Sequence, residues 1–558
     1  MKRYCAILVL IFVGCSSSGP SNGGVYFESS QKVHHSKNGM VVTGHPLATK
    51  AGVDILAKGG NAVDAAVCAA SVLNVVEPMS TGVGGDVFAL VYDSKTKNIE
   101  ALNGSGKSSI RTNIDDLRNL GLDSIPLEGP NSGMSVSVPG CVDAWDQLQK
   151  KFGVFSLDTV LVPAIDYSQN GFGVSEITAN YWKISEKKLS INEKCEFLPN
   201  GRSPHFGEKV VLPDLNRTLK GISENGISYI YEGIIPEKIS EYVQKFNGWL
   251  CEEDFSLHSS SWVRPISSNY RGYDVWECPP NGQGIAALIA LNIVENIDLV
   301  NSDIDHVLQL HYKIEAMKIA FQDALWYVAD PEKVNIPIQE LLSKSYAKKR
   351  FNEIKEDSSS REYKRGNFIQ HGDTVYVSVI DGNGNACSLI NSLYQGFGTG
   401  LVVPETGIAL QNRGALFSTN REHPNFLEPN KRPYNTIIPC MITKNSNLVS
   451  SLGVMGGFQQ PQGHLQVISN LIDFGMNPQE ALDSERFSVS IVNDTVFAED
   501  SFNPDVIAAL KLKGHSVSIN SGFDRGLFGG GQIIVRDNEQ GVLFGGSDPR
   551  KDGLSVSY

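Results

Sequence analysis

A layered protein that mixes helices and strands is what the sequence predicts, on three observations. One helix is apolar on every side, one strand is apolar on both faces, and a strand–turn–strand unit lies in the second half of the chain. The helix falls within Gly59–Val76, where only Asp64 is charged, so no solvent face can be drawn and Pro78 stops it. Thr81-Gly82-Val83-Gly84-Gly85 reads as a turn and Val87–Tyr92 as a buried strand. Elements buried this completely need layers on both sides. A second helix follows from the spacing of Val307, Leu310, Ile314, Met317, Phe321, Leu325 and Val328, and ends at Asp330-Pro331. Asp357–Gly372 is charged, carries a Ser run and has no periodicity, which predicts an exposed linker. Directly after it come Thr374–Ile380, the turn Asp381-Gly382-Asn383-Gly384-Asn385, and Ala386–Ile390, a hairpin.

At 558 residues the chain suits either two ordinary domains or one large layered domain. With 41% hydrophobic and 20% charged residues it is neither a disordered chain nor a coiled coil or collagen-like repeat. Lys plus Arg number 48 against 61 Asp plus Glu, a net charge of −13. That balance argues against nucleic acid as a partner, because phosphate binding needs a basic footprint.

The first residues read as an export signal. Lys2 and Arg3 precede an apolar run, Ala6–Val13, too short to span a bilayer as a helix but suited to the core of a secretory signal. Gly14-Cys15 followed by Ser16-Ser17-Ser18 resembles a bacterial lipoprotein signal, with Cys15 as the lipidated residue, although Phe12 stands where Leu is usual. The alternative is an ordinary signal peptide cleaved nearby. The expectation is therefore a signal over residues 1–14, a tether over 15–36, and an exported protein, periplasmic or held at a membrane only through lipid. Beyond Cys5 and Cys15, the cysteines Cys68, Cys141, Cys195, Cys251, Cys278, Cys387 and Cys440 lie at wide, irregular spacing. No CxxC or Cys/His cluster suggests zinc, several sit in apolar runs as small buried hydrophobes, and one disulfide is open to an exported chain.

A search for familiar catalytic motifs eliminates most options. The sequence has no HExxH, no Walker A loop and no G-x-S-x-G elbow, and its 11 histidines are scattered. Gly529–Gly531 before Ile533-Ile534-Val535 reads as a strand-entry turn. What remains is Gly372-Asp373-Thr374, although a threonine opening a strand is ordinarily structural, since β-branched residues belong there.

Several ordered segments carry a resemblance. They are GGNAVDAAV (Gly59–Val67), VVEPMSTGVGGD (Val75–Asp86), SVPGCVDAW (Ser137–Trp145), PPNGQG (Pro279–Gly284) and HYKIEAMKIAFQD (His311–Asp323). Further on come GDTVYVSVIDGNGNACSL (Gly372–Leu389), FGTGLVVPETGIALQN (Phe397–Asn412), NKRPYNTIIP (Asn430–Pro439) and MGG (Met455–Gly457). Over nearly all of Lys37–Tyr558 the chain resembles the γ-glutamyltransferase family of N-terminal nucleophile hydrolases. The resemblance implies one domain of class α+β, four layers αββα, made as a precursor that cuts itself between Asp373 and Thr374. The large piece, residues 37–373, and the small catalytic piece, 374–558, would stay associated. A threonine hydroxyl is a weak nucleophile at neutral pH, but a freed α-amine, with a pKa near 8, serves as its base. The β-branch restricts χ1 and keeps the hydroxyl near that amine.

Carried over by position, the family's second hydroxyl residue falls on Ser392, and its two oxyanion glycines on Gly456 and Gly457. Its paired serines fall on Asn435 and Thr436. The substrate clamp departs from the family's pattern. Asn103 stands where an Arg grips the α-carboxylate, with Lys107 the nearest cation. Leu416 stands where an acid grips the α-amine, and Tyr394 replaces an Asn of the pocket floor. Arg413 points instead to an anionic group on the substrate, and these features resemble the acylase-like branch. The activity implied is that of a self-processing γ-glutamyltransferase or glutathione hydrolase-like amidase, passing an acyl group through Thr374 to water or an amine. The alternative is an acylase-like hydrolase of glutaryl or other N-acyl amides without transferase activity. The rival from another class is a non-catalytic lipoprotein that keeps the fold as a binding module. The partners implied are a small-molecule amide or peptide substrate and the second piece of the chain; no metal and no cofactor are implied.

Overall fold

Two seven-stranded antiparallel sheets stacked face to face form the centre of a computed structural model of the chain, which describes residues 31–299, 305–360 and 373–558. Strands that build them are β1 (His34–Ser36), β2 (Met40–Thr43), β3 (Asp86–Tyr92), β4 (Ile99–Gly104), β5 (Ser261–Val263), β6 (Ile266–Tyr270) and β7 (Tyr273–Glu277). They continue as β8 (Asp373–Ile380), β9 (Ala386–Tyr394), β10 (Cys440–Lys444), β11 (Asn447–Met455), β12 (Gly530–Asp537), β13 (Val542–Ser547) and β14 (Leu554–Ser557). One sheet runs β14-β2-β8-β9-β3-β4-β5 and the other β1-β13-β12-β11-β10-β7-β6. Both contain strands from before and after the Asp373–Thr374 bond.

The apolar clusters resolve four layers, αββα. Between the sheets, Met40, Phe88, Leu90, Tyr376 and Ile390 face Met441, Met455, Ile534 and Leu543. On the outer face of the first sheet, Val87, Val375, Val377 and Leu389 pack against α1 (Pro46–Ala57), α2 (Ala62–Val76), α3 (Cys141–Phe152) and α4 (Leu157–Asn170). Outside the second sheet, Leu452, Val454 and Ile533 pack against α5 (Gly284–Val294), α6 (His306–Tyr327) and α7 (Gln459–Ile472). The period-2 alternation of a strand thus feeds both the inter-sheet layer and a helical layer.

Helix α2 is buried at every position, as its composition requires. Its N-terminus is closed by a capping box between Asn61 and Asp64, and Asp381 of the β8–β9 turn accepts from the Ala62 N–H at 3.2 Å. The glycine turn before β3 is dictated by space. A Cβ on Gly85 would stand 2.3 Å from the Ser392 carbonyl oxygen, so only glycine lets this turn pass beneath the β9 strand.

Two expectations about the chain's connections need correction. The tether placed over 15–36 ends earlier, because His34–Ser36 pairs with Leu543–Gly545 as an edge strand. Three polar residues carry no alternation from which a strand could be read, and the sheet edge alone orders them. The linker placed over 357–372 begins bound to the protein: the Ser359 N–H donates to Lys513 O at 2.7 Å and the Ser360 N–H to Glu315 at 3.0 Å. Residues 361–372, the signal over 1–14 and Cys15 lie outside the described residues. All seven described cysteines are free thiols, and among the described residues no helix is long and apolar enough to cross a membrane.

Buried imidazoles make the fold acid-sensitive. Burial pushes His45 and His258 down to about 4, against the opposing pull of Asp552 and Asp143 respectively. A histidine held neutral in the fold leaves the unfolded chain with the greater proton affinity. Its contribution is therefore complete above about pH 6.5 and is lost as pH falls toward 4. Denaturant unfolding is expected to give a constant stability between pH 8 and 7, then a loss of about 2 kcal/mol per histidine by pH 5. A stability that stays constant from pH 7 to 5 would rule this out.

Candidate active site

Thr374 stands at one mouth of the sandwich, where β8 leaves its regular register. Val375 pairs with Asn391 but Asp373 pairs with Tyr394, so one extra β9 residue lies opposite Thr374. Alternation places Thr374, Tyr376 and Ser378 on the inner face of β8. Thr374 Oγ1 lies 3.1 Å from Ser392 Oγ on the neighbouring strand, and both side chains are buried. Ser392 Oγ also accepts the Tyr394 N–H at 2.8 Å. Along the same inner face Ser392 pairs with Asp86 of β3, and Phe88 with Asn103 of β4.

The opposite wall comes from the end of β11. Ser378 Oγ bonds Ser451 Oγ at 2.8 Å, and a Cβ on Gly453 would meet the Tyr376 ring at 2.6 Å. Continued by two residues, the same steps point Thr374 toward the Met455–Gly456 end of β11. Gly456 and Gly457 have φ of +129° and +58°, backbone that L side chains rarely adopt. Among the described residues, neither of their N–H groups has a protein acceptor. They lead directly into α7, a 14-residue helix whose positive end lies at this turn. Two free N–H donors beside a helix N-terminus, opposite a buried hydroxyl, form an arrangement suited to an oxyanion.

The remaining predicted residues join this cluster through Asp86. Its Oδ1 accepts from the Gly106 N–H and Gln411, and its Oδ2 faces Asn435 Nδ2 at 3.2 Å and Arg413 Nε at 3.3 Å. Arg413 Nη1 donates to Thr436 Oγ1 at 2.9 Å, and the guanidinium lies 5.3 Å from the Tyr394 ring centre. Burial raises the Asp86 carboxyl above its ordinary range, an effect that Arg413 and three N–H donors offset only in part. Burial lowers Arg413 to about 10, so it stays charged at neutral pH. Its Nη2 has no partner among the described residues.

The sequence reading of the clamp is thereby corrected in two places. Arg413 does not stand ready for substrate with its whole charge, because a buried carboxylate already faces it. Asn103 is engaged inside the protein: its Nδ2 donates to Asn281 Oδ1 at 2.8 Å and its Oδ1 accepts from Ser105 Oγ at 2.6 Å. Lys107 pairs with Glu332 at 2.7 Å, in a separate polar cavity of about 230 Å³ that Arg432 and His258 also line. Leu416 is buried in the same apolar cluster as Tyr394, Tyr434 and Phe458, so the place of an amine-binding acid is apolar.

A cavity of about 850 Å³ opens on Gly456 and is lined by Tyr181, Lys188, Phe523, Leu527 and Lys551 among others. Gly529–Gly531 does form a strand entry, but Gly529 and Gly530 also line this cavity, a role the local sequence does not signal. Behind that wall, Arg550 bonds both Glu499 and Asp548, and Arg486 bonds Asp548 at 2.6 Å, all buried. Burial raises both carboxyls, and the guanidiniums outweigh it, leaving each below its ordinary range.

Two buried groups have the residue types of a metal site, Glu277/Cys440/His464 and His311/Glu315/His515. In the first, His464 Nε2 accepts the Val454 N–H at 3.2 Å, so the neutral ring carries its proton on Nδ1 and donates to Glu277 at 2.7 Å. Neither ring nitrogen of His464 is left for an ion. In the second, Lys318 Nζ holds Glu315 at 2.8 Å and His311 lies between the Lys355 carbonyl and His515. Both read as hydrogen-bonded chains.

Comparison with known proteins places similar sequences and folds beside this chain. The sequence profile of the family described as Gamma-glutamyltranspeptidase matches residues 48–558. The glutathione hydrolase-like YwrD proenzyme of Bacillus subtilis (strain 168) is 38% identical over 526 residues, 93% of this chain and 98% of that protein. The glutathione hydrolase proenzyme of Escherichia coli (strain K12) is 32% identical over 584 residues, 100% of this chain and 99% of that protein. The crystal structure of a cephalosporin acylase from Bacillus halodurans superposes with a TM-score of 0.88 at 41% identity, covering 98% of this chain and 99% of that one.

Proposed function

The chain belongs to the gamma-glutamyltranspeptidase family, and from that premise we propose that it cuts itself before Thr374 and then hydrolyses N-acyl amides whose acyl group is not a zwitterion. In the first step Thr374 Oγ attacks the Asp373 carbonyl carbon, and the peptide C–N bond breaks as an ester forms. Water then hydrolyses that ester, leaving a carboxylate on Asp373 and a free α-amine on Thr374. In turnover this amine takes the Oγ proton as Oγ attacks the substrate carbonyl. The N–H groups of Gly456 and Gly457 stabilise the oxyanion. The leaving amine departs with the proton, and water releases the acyl group from Thr374.

The observation that carries the acyl preference is the Asp86–Arg413 pair set against the apolar surroundings of Leu416. A γ-glutamyl group brings an α-amine that needs an acid, and residue 416 offers none. Losing such a partner costs several kcal/mol of recognition. Arg413 Nη2, unpartnered and close to Thr436, suits one anionic end such as that of a glutaryl chain, with its methylenes against Tyr394.

Side-by-side rates on glutaryl and γ-glutamyl anilides test this. The expected kcat/KM favours glutaryl by at least about tenfold, with no rise on adding Gly-Gly. A preference for γ-glutamyl, accelerated by Gly-Gly, would instead establish a glutathione hydrolase with transferase activity.

A further inference from the structure

The oxyanion turn is propped from behind by Gln283, at the end of the PPNGQG stretch that leads from β7 into α5. Its Nε2 donates to the carbonyls of Gly457 and Thr436, both at 2.8 Å. Its Oε1 accepts from Tyr434 OH at 3.1 Å, and its backbone N–H donates to Asn435 O at 2.9 Å. The residue is fully buried. An amide nitrogen facing two carbonyls and an amide oxygen facing a hydroxyl fix which way the side chain points; a carboxylate there would set oxygen against both carbonyls. A second prop reaches the same turn, through the Val454 N–H to His464 and on to Glu277.

Two glycines at positive φ have no side chains of their own to hold their peptide planes. Donors preorganised toward an oxyanion are worth much more than donors that must reorient during reaction. We infer that Gln283 is a positioning residue of the oxyanion turn. It holds the Gly457 carbonyl, and with it the Gly457–Phe458 peptide, which anchors the far side of the turn whose Gly456 and Gly457 N–H groups face the substrate carbonyl oxygen. Through Thr436 it also keys that turn to the segment that meets the acyl group. Gln283 lies in the large piece and the turn in the small one, so each piece completes the other's site. The inference rests on the acyl-Thr374 reading above.

The test uses the self-processed enzyme and its best anilide substrate. Gln283→Met keeps the side chain's length and removes the donors. It is expected to lower kcat by about 10- to 100-fold, less than the 10²–10³-fold that loss of an oxyanion donor brings, with KM within about twofold. Gln283→Glu adds a readout that a merely structural role would not move. Its activity as a fraction of the wild type's at the same pH is expected to recover as pH falls and the new carboxyl gains a proton to donate. If Gln283→Met is recovered only unfolded, the Gln283→Glu profile decides by itself. A Gln283→Glu profile parallel to wild type, or a loss confined to KM, overturns the inference. A wild-type protein that is never cut and inactive overturns the acyl-Thr374 reading instead.

Discussion

Thr374→Ala protein is expected to remain one uncut chain on a denaturing gel and to lose amide hydrolysis by about 10⁵–10⁶-fold. Wild type should give two bands, ending and starting at the 373/374 bond. The size of the effect follows from the two roles proposed for this one residue, whose hydroxyl would be the nucleophile and whose freed amine would be its base. Without the hydroxyl the precursor bond cannot pass through an ester, so the amine is never released either. Thr374→Ser keeps both groups and should still process itself, more slowly, because a side chain without a β-branch holds its hydroxyl less firmly. Wild-type rates should rise with pH to a plateau, with a midpoint near the α-amine's ordinary pKa of about 8. Residual hydrolysis in Thr374→Ala above about one part in a thousand of wild type would place the chemistry on another residue.

Asp86→Asn is expected to cost about 3–5 kcal/mol of stability, because it leaves the Arg413 guanidinium fully buried without its carboxylate. The substitution keeps the side chain's shape, so packing contributes little to the loss. Activity should fall with it, since Gly106 and Asn435 donate to different oxygens of Asp86 and an amide keeps only one of the two acceptors. Asp86→Asn/Arg413→Gln, which removes both charges, should recover much of the stability and no activity on an anionic acyl group. Urea unfolding of the four proteins of this cycle gives the coupling directly. A coupling below about 0.5 kcal/mol would mean that the two groups do not stabilise each other.

Local composition made the skeleton of the fold legible. An all-round apolar helix at Ala62–Val76 has only one place to go, and Thr374–Ile390 alternates and turns as a hairpin must. Thr374 became a candidate nucleophile only through resemblance, since a threonine at a strand start is unremarkable by itself. The clamp was legible in residue types but not in pairing: Arg413 reads as a substrate-facing cation until Asp86, distant in sequence, is found against it. Gln283 sits inside a quoted motif, yet its partners lie on segments that only the stacked sheets bring near. The same holds for β1, whose three polar residues become a strand because a neighbour's edge is open.

The mingling of strands from both sides of the 373/374 bond in each sheet has a consequence for how such a protein ages. Uncut, the chain carries all the instructions for its sheets in one molecule. Cut, the two polypeptides cannot part without unzipping both sheets, and once parted they must find each other again at whatever concentration the surroundings allow. Maturation therefore exchanges a renewable native state for one whose durability is a lifetime, set by the rate of first unfolding rather than by an equilibrium.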